Sequence, residues 1–150
     1  MGEVSHEQVN LLLRLYDLRR EPRLRDARAW FSAHFHATTM EEMMKIAPPN
    51  SEENDYMRMV WSYWDMVASI VNRGLIDQEF FFENSGEQVM VWERLKPMVP
   101  HWREMFKNPH VFENLEKLCT AQEAWREQRA PGSTAAMREI AQRTRLRPAR

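Results

Sequence analysis

Apolar side chains recur along this chain at the three- and four-residue spacing that is typical of α-helices. Small polar residues precede several of these runs, and proline or glycine follows them, which is the usual pattern at helix ends. The pattern predicts an all-α fold, an irregular and orthogonally packed bundle of about six or seven helices. The main predicted helices span residues 5–21, 22–36, 51–73, 87–106 with a break at its prolines, 109–128 and 134 onward, with short ones over 39–47 and 77–84.

The segment from Ser51 to Arg73 carries apolar residues over an unusually wide arc. At 100° per residue, its apolar positions from Tyr56 to Val71 cover roughly 220°, about twice the apolar stripe of an ordinary surface helix. Gly74 follows, at a position where a left-handed residue would end the helix. We therefore expect this helix to lie at the centre of the fold and to be packed on two sides.

Some apolar positions exceed what one helix face can bury. The first predicted helix has leucines on more than one face, and three consecutive phenylalanines, Phe80 to Phe82, point about 100° apart. Two helices with broad apolar arcs in a chain of this length predict a homo-oligomer, most simply a dimer. An unknown protein partner is the alternative. The candidate interface residues are Leu11, Leu15, Leu18, Phe80, Phe81 and Phe82.

Length and composition favour one helical domain. A chain of 150 residues can bury about 70% of its unfolded surface, and four glycines provide few tight turns for hairpins. Residues 130–133 interrupt the helical pattern with a proline and a glycine. We expect residues 1–130 to form a single helical domain, and residues 131–150 to add a C-terminal helix with a basic, disordered tail.

The formal net charge of −1 conceals an uneven distribution along the chain. Residues 41–123 hold eight basic and fifteen acidic side chains, whereas residues 126–150 hold seven arginines and two glutamates. The arginine-rich end supports an alternative function, the binding of nucleic acid or another anion. Nucleic acid is the less favoured ligand, because the body is acidic and no helix-turn-helix pattern is present. The candidate anion-binding residues are Arg143, Arg145, Arg147 and Arg150.

Reactive side chains do not form a recognisable catalytic or cofactor pattern. His34 and His36 would project about 200° apart on a helix, so they could not share one metal ion. Cys119 falls within an apolar stripe, where a buried and inert thiol is expected. We therefore expect no catalytic, cofactor-binding or metal-binding residues, and an enzyme of unrecognised type is kept as a second alternative.

The number of cysteines and the hydropathy of the chain indicate the cellular compartment in which we expect it. One cysteine excludes an intramolecular disulfide and fits a reducing compartment, so we expect a soluble, cytoplasmic protein. The longest apolar stretches fall short of the roughly 20 residues that a membrane helix needs. The chain is therefore expected not to span a membrane.

Several short motifs between residues 63 and 118 resemble an uncharacterised family of bacterial helical domains of unknown function. The pattern is a helix that ends in glycine, an acidic cap, a tryptophan-containing helix that runs into proline, and an arginine before the next helix. The resemblance implies a helical domain and supplies no activity. The motifs are Trp64-Asp65, Asn72-Arg73-Gly74-Leu75-Ile76-Asp77, Val91-Trp92-Glu93-Arg94-Leu95-Lys96-Pro97, Arg103 and Phe112-Glu113-Asn114-Leu115.

These observations together predict a non-catalytic protein-interaction or self-association module. The prediction depends on the wide apolar arcs, the run of phenylalanines and the lack of catalytic patterns.

Overall fold

The structure, a computed structural model, describes residues 2–145, which form nine α-helices and one 3₁₀ turn and no strand. The all-α prediction is confirmed. The predicted count of six or seven helices was low, partly because the prolines divide residues 87–106 into α6, a 3₁₀ turn at Lys96–Met98 and α7. No helix in this range is long and apolar enough to cross a bilayer. The helices are α1 (His6–Arg19), α2 (Pro22–His34), α3 (Met40–Ile46), α4 (Glu52–Asn72), α5 (Gln78–Asn84), α6 (Glu87–Leu95), α7 (Val99–Met105), α8 (Glu113–Arg129) and α9 (Ser133–Arg145).

Four helices begin at the polar residues that the sequence predicts. The Ser5 hydroxyl accepts the backbone N–H three residues later at 3.2 Å, and the Ser51 hydroxyl does the same at 3.1 Å. Thr39 and Asp77 accept the equivalent N–H groups at the starts of α3 and α5. Because each such cap contributes about 1 kcal/mol, these helix starts are determined by local sequence.

Helix α4 is central, as its wide apolar arc predicts. Helix α2 packs against one part of its surface and α8 against another. Gly74 has a φ of 77° and ends the helix in the left-handed conformation that glycine adopts without strain. The buried residues of α4 are Met57, Val60, Tyr63, Trp64, Val67, Ala68 and Val71.

Polar side chains of α4 fix the start of α8, which has no side-chain cap of its own. The Asp65 carboxylate accepts the N–H of Leu115 at 3.1 Å, and the Asn72 amide donates to the carbonyl of Asn114 at 3.0 Å. Burial raises the pKa of Asp65, and the hydrogen bond from Leu115 acts in the opposite direction. The resemblance motifs thus include contacts that join two helices distant in sequence.

The prediction of a helix that begins at Pro109 is wrong, because α8 begins four residues later. Arg103 holds the intervening turn: its Nε donates to the carbonyl of Val111 at 3.0 Å, and its Nη2 contacts Glu116 at 2.5 Å. Phe112 lies just before α8 with a left-handed φ of 58°. Its ring contacts two tryptophans at centroid distances of 5.3 and 5.5 Å, which offsets the roughly 1–2 kcal/mol cost of that backbone conformation.

A polar network lies inside the core where α5, α6 and α8 meet. Gln88 is 0% exposed and Gln122 is 4% exposed. Nε2 of Gln88 donates to Oε1 of Gln122 at 2.6 Å, and Nε2 of Gln122 donates to the carbonyl of Ser85 at 2.8 Å. The Ser85 hydroxyl donates to Oε1 of Gln88 at 2.8 Å. The buried amides are therefore hydrogen-bonded to one another and to the end of α5.

The C-terminal helix α9 is attached to the body mainly through polar contacts. Thr134 is its one buried side chain. Arg138 forms ion pairs with Glu93 of α6 at 3.1 Å and with Glu123 of α8 at 3.2 Å. The tail that the sequence predicts to be disordered continues past Arg145 and lies outside the described residues there.

Candidate functional site

A cavity of about 230 Å³ lies between α1, α4 and α5, and we call it the α1 cavity. Its wall is predominantly apolar because apolar side chains of three helices meet there, some buried and some at its exposed rim. The lining includes Leu12, Leu13 and Tyr16 of α1, Trp64 and Val67 of α4, and Phe81 of α5.

Few polar groups border the α1 cavity. The Tyr63 hydroxyl donates to the carbonyl of Leu15, and burial raises the pKa of Tyr63 to about 12, so the phenol remains neutral at physiological pH. The Arg19 guanidinium lies 4.6 Å from the centroid of the Tyr16 ring. The indole N–H of Trp64 is buried and has no hydrogen-bond partner among residues 2–145. The cavity thus presents apolar surface and no pair of acid and base.

The three leucines predicted as interface residues on α1 share one side of the helix, at i, i+4 and i+7, but they differ in burial. Leu15 is buried in the core, Leu11 is half-buried and packs against the core, and Leu18 is exposed. Leu15 thus stabilises the chain itself and offers little surface to a partner.

Apart from Leu18, the exposed apolar surface of α1 is a stripe of four residues, Val9, Leu12, Leu13 and Tyr16, which we call the α1 stripe. Their spacing of three, one and three residues places them on one side of a helix. Leu13 is 55% exposed and Tyr16 is 46% exposed, whereas Val9 and Leu12 are half-buried. The sequence did not single out this stripe, because only the burial of Leu15 shows which side of the leucine-rich helix faces the core.

The three phenylalanines pack mainly within the chain. Phe81 and Phe82 are buried, and Phe80 is half-buried. The Phe82 ring lies 5.5 Å from the Trp125 ring of α8. The run therefore packs against a second helix of the same chain, and little of it is left exposed for a partner.

A second cavity, of about 290 Å³, lies between α9, α6 and the connection from α2 to α3, and we call it the α9 cavity. One part of its lining is apolar and includes Val89, Met90 and Met137. The cationic part of the lining consists of Arg94, Arg126, Arg138 and Arg145, with Glu93 as its one carboxylate.

Three of these arginines make their hydrogen bonds to neutral groups. Arg94 donates to the carbonyl of Phe31 at 2.6 Å at the end of α2, and Arg145 donates to the carbonyl of His36 at 2.7 Å. Arg126 donates from Nη2 to a threonine hydroxyl at 3.3 Å, while its buried Nε has no partner within the described chain. None of the three has a carboxylate within ion-pair distance in residues 2–145. The cavity therefore concentrates positive charge.

The four arginines predicted to bind anions separate into different surroundings. Arg145 lines the α9 cavity, whereas Arg143 contacts Glu139 at 2.5 Å on the exposed surface of α9. Arg147 and Arg150 lie outside the described residues. Arg94 and Arg126 were not predicted as site residues, although Arg94 falls in a resemblance motif, because long-range packing brings them to the cavity.

The remaining reactive groups do not cluster. Burial raises the pKa of the Cys119 thiol to about 12, which keeps it protonated and unreactive. Over residues 2–145, no three or more histidine, cysteine, aspartate or glutamate side chains are grouped so as to hold a metal ion.

Comparison with known proteins identifies a domain family. The model of a family described as a domain of unknown function, DUF4760, matches residues 5–125 and thus stops before α9. No curated protein and no solved structure matches the chain.

Proposed function

The chain belongs to the DUF4760 family of domains of unknown function, and we propose that it is a self-association module in which the α1 stripes of two copies pack against each other. The observation that carries this proposal is the exposure of Leu13 and Tyr16 beside an apolar cavity. Together with Val9 and Leu12, these residues present the apolar side of a helix that the chain itself leaves partly uncovered.

The spacing of the α1 stripe suits helix-on-helix packing. Residues at i, i+3, i+4 and i+7 form the ridge that one helix presents to another. A two-fold axis near Leu13 would place the same stripe on both sides of the interface, which is the arrangement of most symmetric dimers. The α1 cavity supplies room beside the stripe for apolar side chains of the second copy.

The proposal is tested by sedimentation equilibrium of the full chain from about 10 µM to about 1 mM, a range that spans weak to moderate dissociation constants. Wild type is expected to pass from monomer to dimer over this range. Leu13→Glu is expected to remain monomeric, because it places a charge in the centre of the stripe. Leu75→Glu is the matched control: Leu75 is 56% exposed, close to the 55% of Leu13, but lies in the turn after α4.

Two results would contradict the proposal. One is a wild-type monomer at the highest concentration. The other is equal association of wild type and Leu13→Glu, which would place the interface elsewhere. Repeating the measurement at high salt separates the apolar contribution to dimerisation from the electrostatic one, because salt at about 1 M shortens the screening length to about 3 Å. An interface centred on the stripe should persist there with a modest loss of affinity, and complete dissociation would assign it to charges instead.

A further inference from the structure

The α9 cavity combines two kinds of surface, one cationic and one apolar. Its lining holds four arginines and one glutamate, and Glu93 is already paired with Arg138 at 3.1 Å. The other side of the cavity is formed by aliphatic and methionine side chains. A ligand that complements both surfaces has a negative charge at one end and an apolar body at the other.

The arginines themselves favour an anion. Arg94 is half-buried, and its pKa is lowered by burial and by the nearby charge of Arg145. Arg94 and Arg145 donate to backbone carbonyls at the end of α2 and just after it, and neither is paired with a carboxylate among residues 2–145. A carboxylate or phosphate oxygen would supply the missing negative charge and would reduce the repulsion between the two arginines.

The volume indicates how much of a ligand the cavity can surround, since one side is open to solvent. A water molecule occupies about 30 Å³ of liquid, so about 290 Å³ accommodates on the order of ten non-hydrogen atoms. Inorganic phosphate, with five such atoms, would leave the apolar side of the cavity unfilled. A carboxylate with a chain of about eight carbons has the appropriate size and polarity for this volume.

We infer that the α9 cavity is a binding site for a small amphipathic anion, a carboxylate or phosphate attached to an apolar body. The head group is bound by Arg94 and Arg145, and the apolar body packs between Met90 and Met137. This ligand site is separate from the proposed dimer surface, because it lies on α6 and α9 and shares no lining residue with the α1 cavity.

One wall of the α9 cavity lies outside the part of the chain that matches the family. The family match ends at residue 125, whereas Met137 and Arg145 belong to α9. The matched domain therefore supplies one wall of the cavity, and a segment beyond the match supplies the other. A ligand that contacts both walls would hold α9 against the body.

The experiment uses the full chain with octanoate as the anionic probe, and octanol and inorganic phosphate as matched probes that lack the charge or the apolar body. Binding is followed by titration calorimetry and by NMR of the methionine methyl groups. Octanoate is expected to shift the signals of Met90 and Met137, which line the cavity, and to leave that of Met105 on α7 unchanged. It should bind at least about tenfold more tightly than either matched probe.

Two variants locate the head group, and a third serves as a control. Arg94→Gln and Arg145→Gln each remove one cation from the cavity and are expected to weaken octanoate binding by at least about tenfold. Arg143→Gln is the control, because Arg143 is exposed on α9 and outside the cavity. Arg145 is itself exposed, so its replacement leaves the core intact even if Arg94→Gln affects folding.

Three results would overturn the inference. Octanol or phosphate that binds as tightly as octanoate would exclude an amphipathic anion as the ligand class. Octanoate that binds Arg145→Gln and Arg143→Gln equally well would exclude the arginine cluster as the head-group site. Wild type that shows no binding and no shift of the Met137 methyl at millimolar octanoate would exclude the site itself.

Discussion

Replacement of Gln88 by leucine is expected to lower the free energy of unfolding by about 2–3 kcal/mol. The Gln88 side chain takes part in three hydrogen bonds, to Oε1 of Gln122 at 2.6 Å, to the Ser85 carbonyl at 3.1 Å and from the Ser85 hydroxyl at 2.8 Å. Leucine removes all three. The buried Oε1 of Gln122 is then left without its donor, and such a group costs about 1–3 kcal/mol.

Replacement of Gln122 by leucine is expected to cost less, about 1 kcal/mol. Gln88 keeps both of its contacts with Ser85 in that variant, and the Ser85 carbonyl keeps one donor. The double replacement removes both side-chain amides, so neither glutamine leaves an unpaired group in the core. The Ser85 carbonyl loses both of its side-chain donors, but Ser85 is only half-buried. We expect the double replacement to be less destabilising than the sum of the single changes by at least about 1 kcal/mol.

The assay is urea denaturation followed by far-ultraviolet circular dichroism, with thermal unfolding as a second measure. At this chain length each 1 kcal/mol corresponds to about 2–4 °C in Tm. If the slope of the free energy of unfolding against urea concentration is unchanged, the replacements have not altered the unfolded state. The reasoning is refuted if Gln122→Leu proves more destabilising than Gln88→Leu, or if the single effects add to within about 0.5 kcal/mol.

Three further predictions concern stability and reactivity. Leu118→Ala in the core is expected to cost about 2–5 kcal/mol in chemical denaturation, whereas Leu75→Ala on the surface should change stability by less than about 0.5 kcal/mol. The folded wild type has a raised pKa at Asp65, so it loses stability as that carboxyl ionises above pH 3.8. The Asp65→Asn variant has no such proton to lose and should therefore gain stability relative to wild type between about pH 3.5 and pH 7. Denaturation at these two pH values would show no relative change if the pKa were not raised. Cys119 should react with a thiol reagent at about pH 8 only as fast as the chain opens, so rapid labelling of the folded protein would contradict its burial.

Local features of this fold were predictable from the sequence, and features that depend on long-range contacts were not. Ser5 and Ser51 predict the starts of α1 and α4, because the hydroxyl of a capping residue bonds to a backbone N–H within three residues. The start of α8 could not be predicted in this way, since Asp65 from another helix binds its backbone. Pro109 therefore suggested a helix start that the tertiary structure places four residues later.

In the candidate sites, too, local features could be predicted from the sequence and long-range contacts could not. The leucines of α1 predicted an apolar helix correctly, but the side that stays exposed is set by the packing of Leu15 against the core. The excess of arginine near the C-terminus suggested anion binding as an alternative function, which stays a prediction; of the four arginines named, Arg145 lines the α9 cavity. Arg94 and Arg126 also line this cavity but come from other helices, and no spacing in the sequence indicates that they do so.

The weak attachment of α9 has a consequence for kinetics. Its exposed ion pairs each contribute on the order of 0–1 kcal/mol, so α9 should detach far more often than the domain unfolds. Backbone amides of α9 would then exchange their hydrogens with solvent much faster than those of α4. A molecule held beneath α9 would enter and leave through the movement of one terminal helix, and its residence time would follow the opening rate of that helix while the core stays closed.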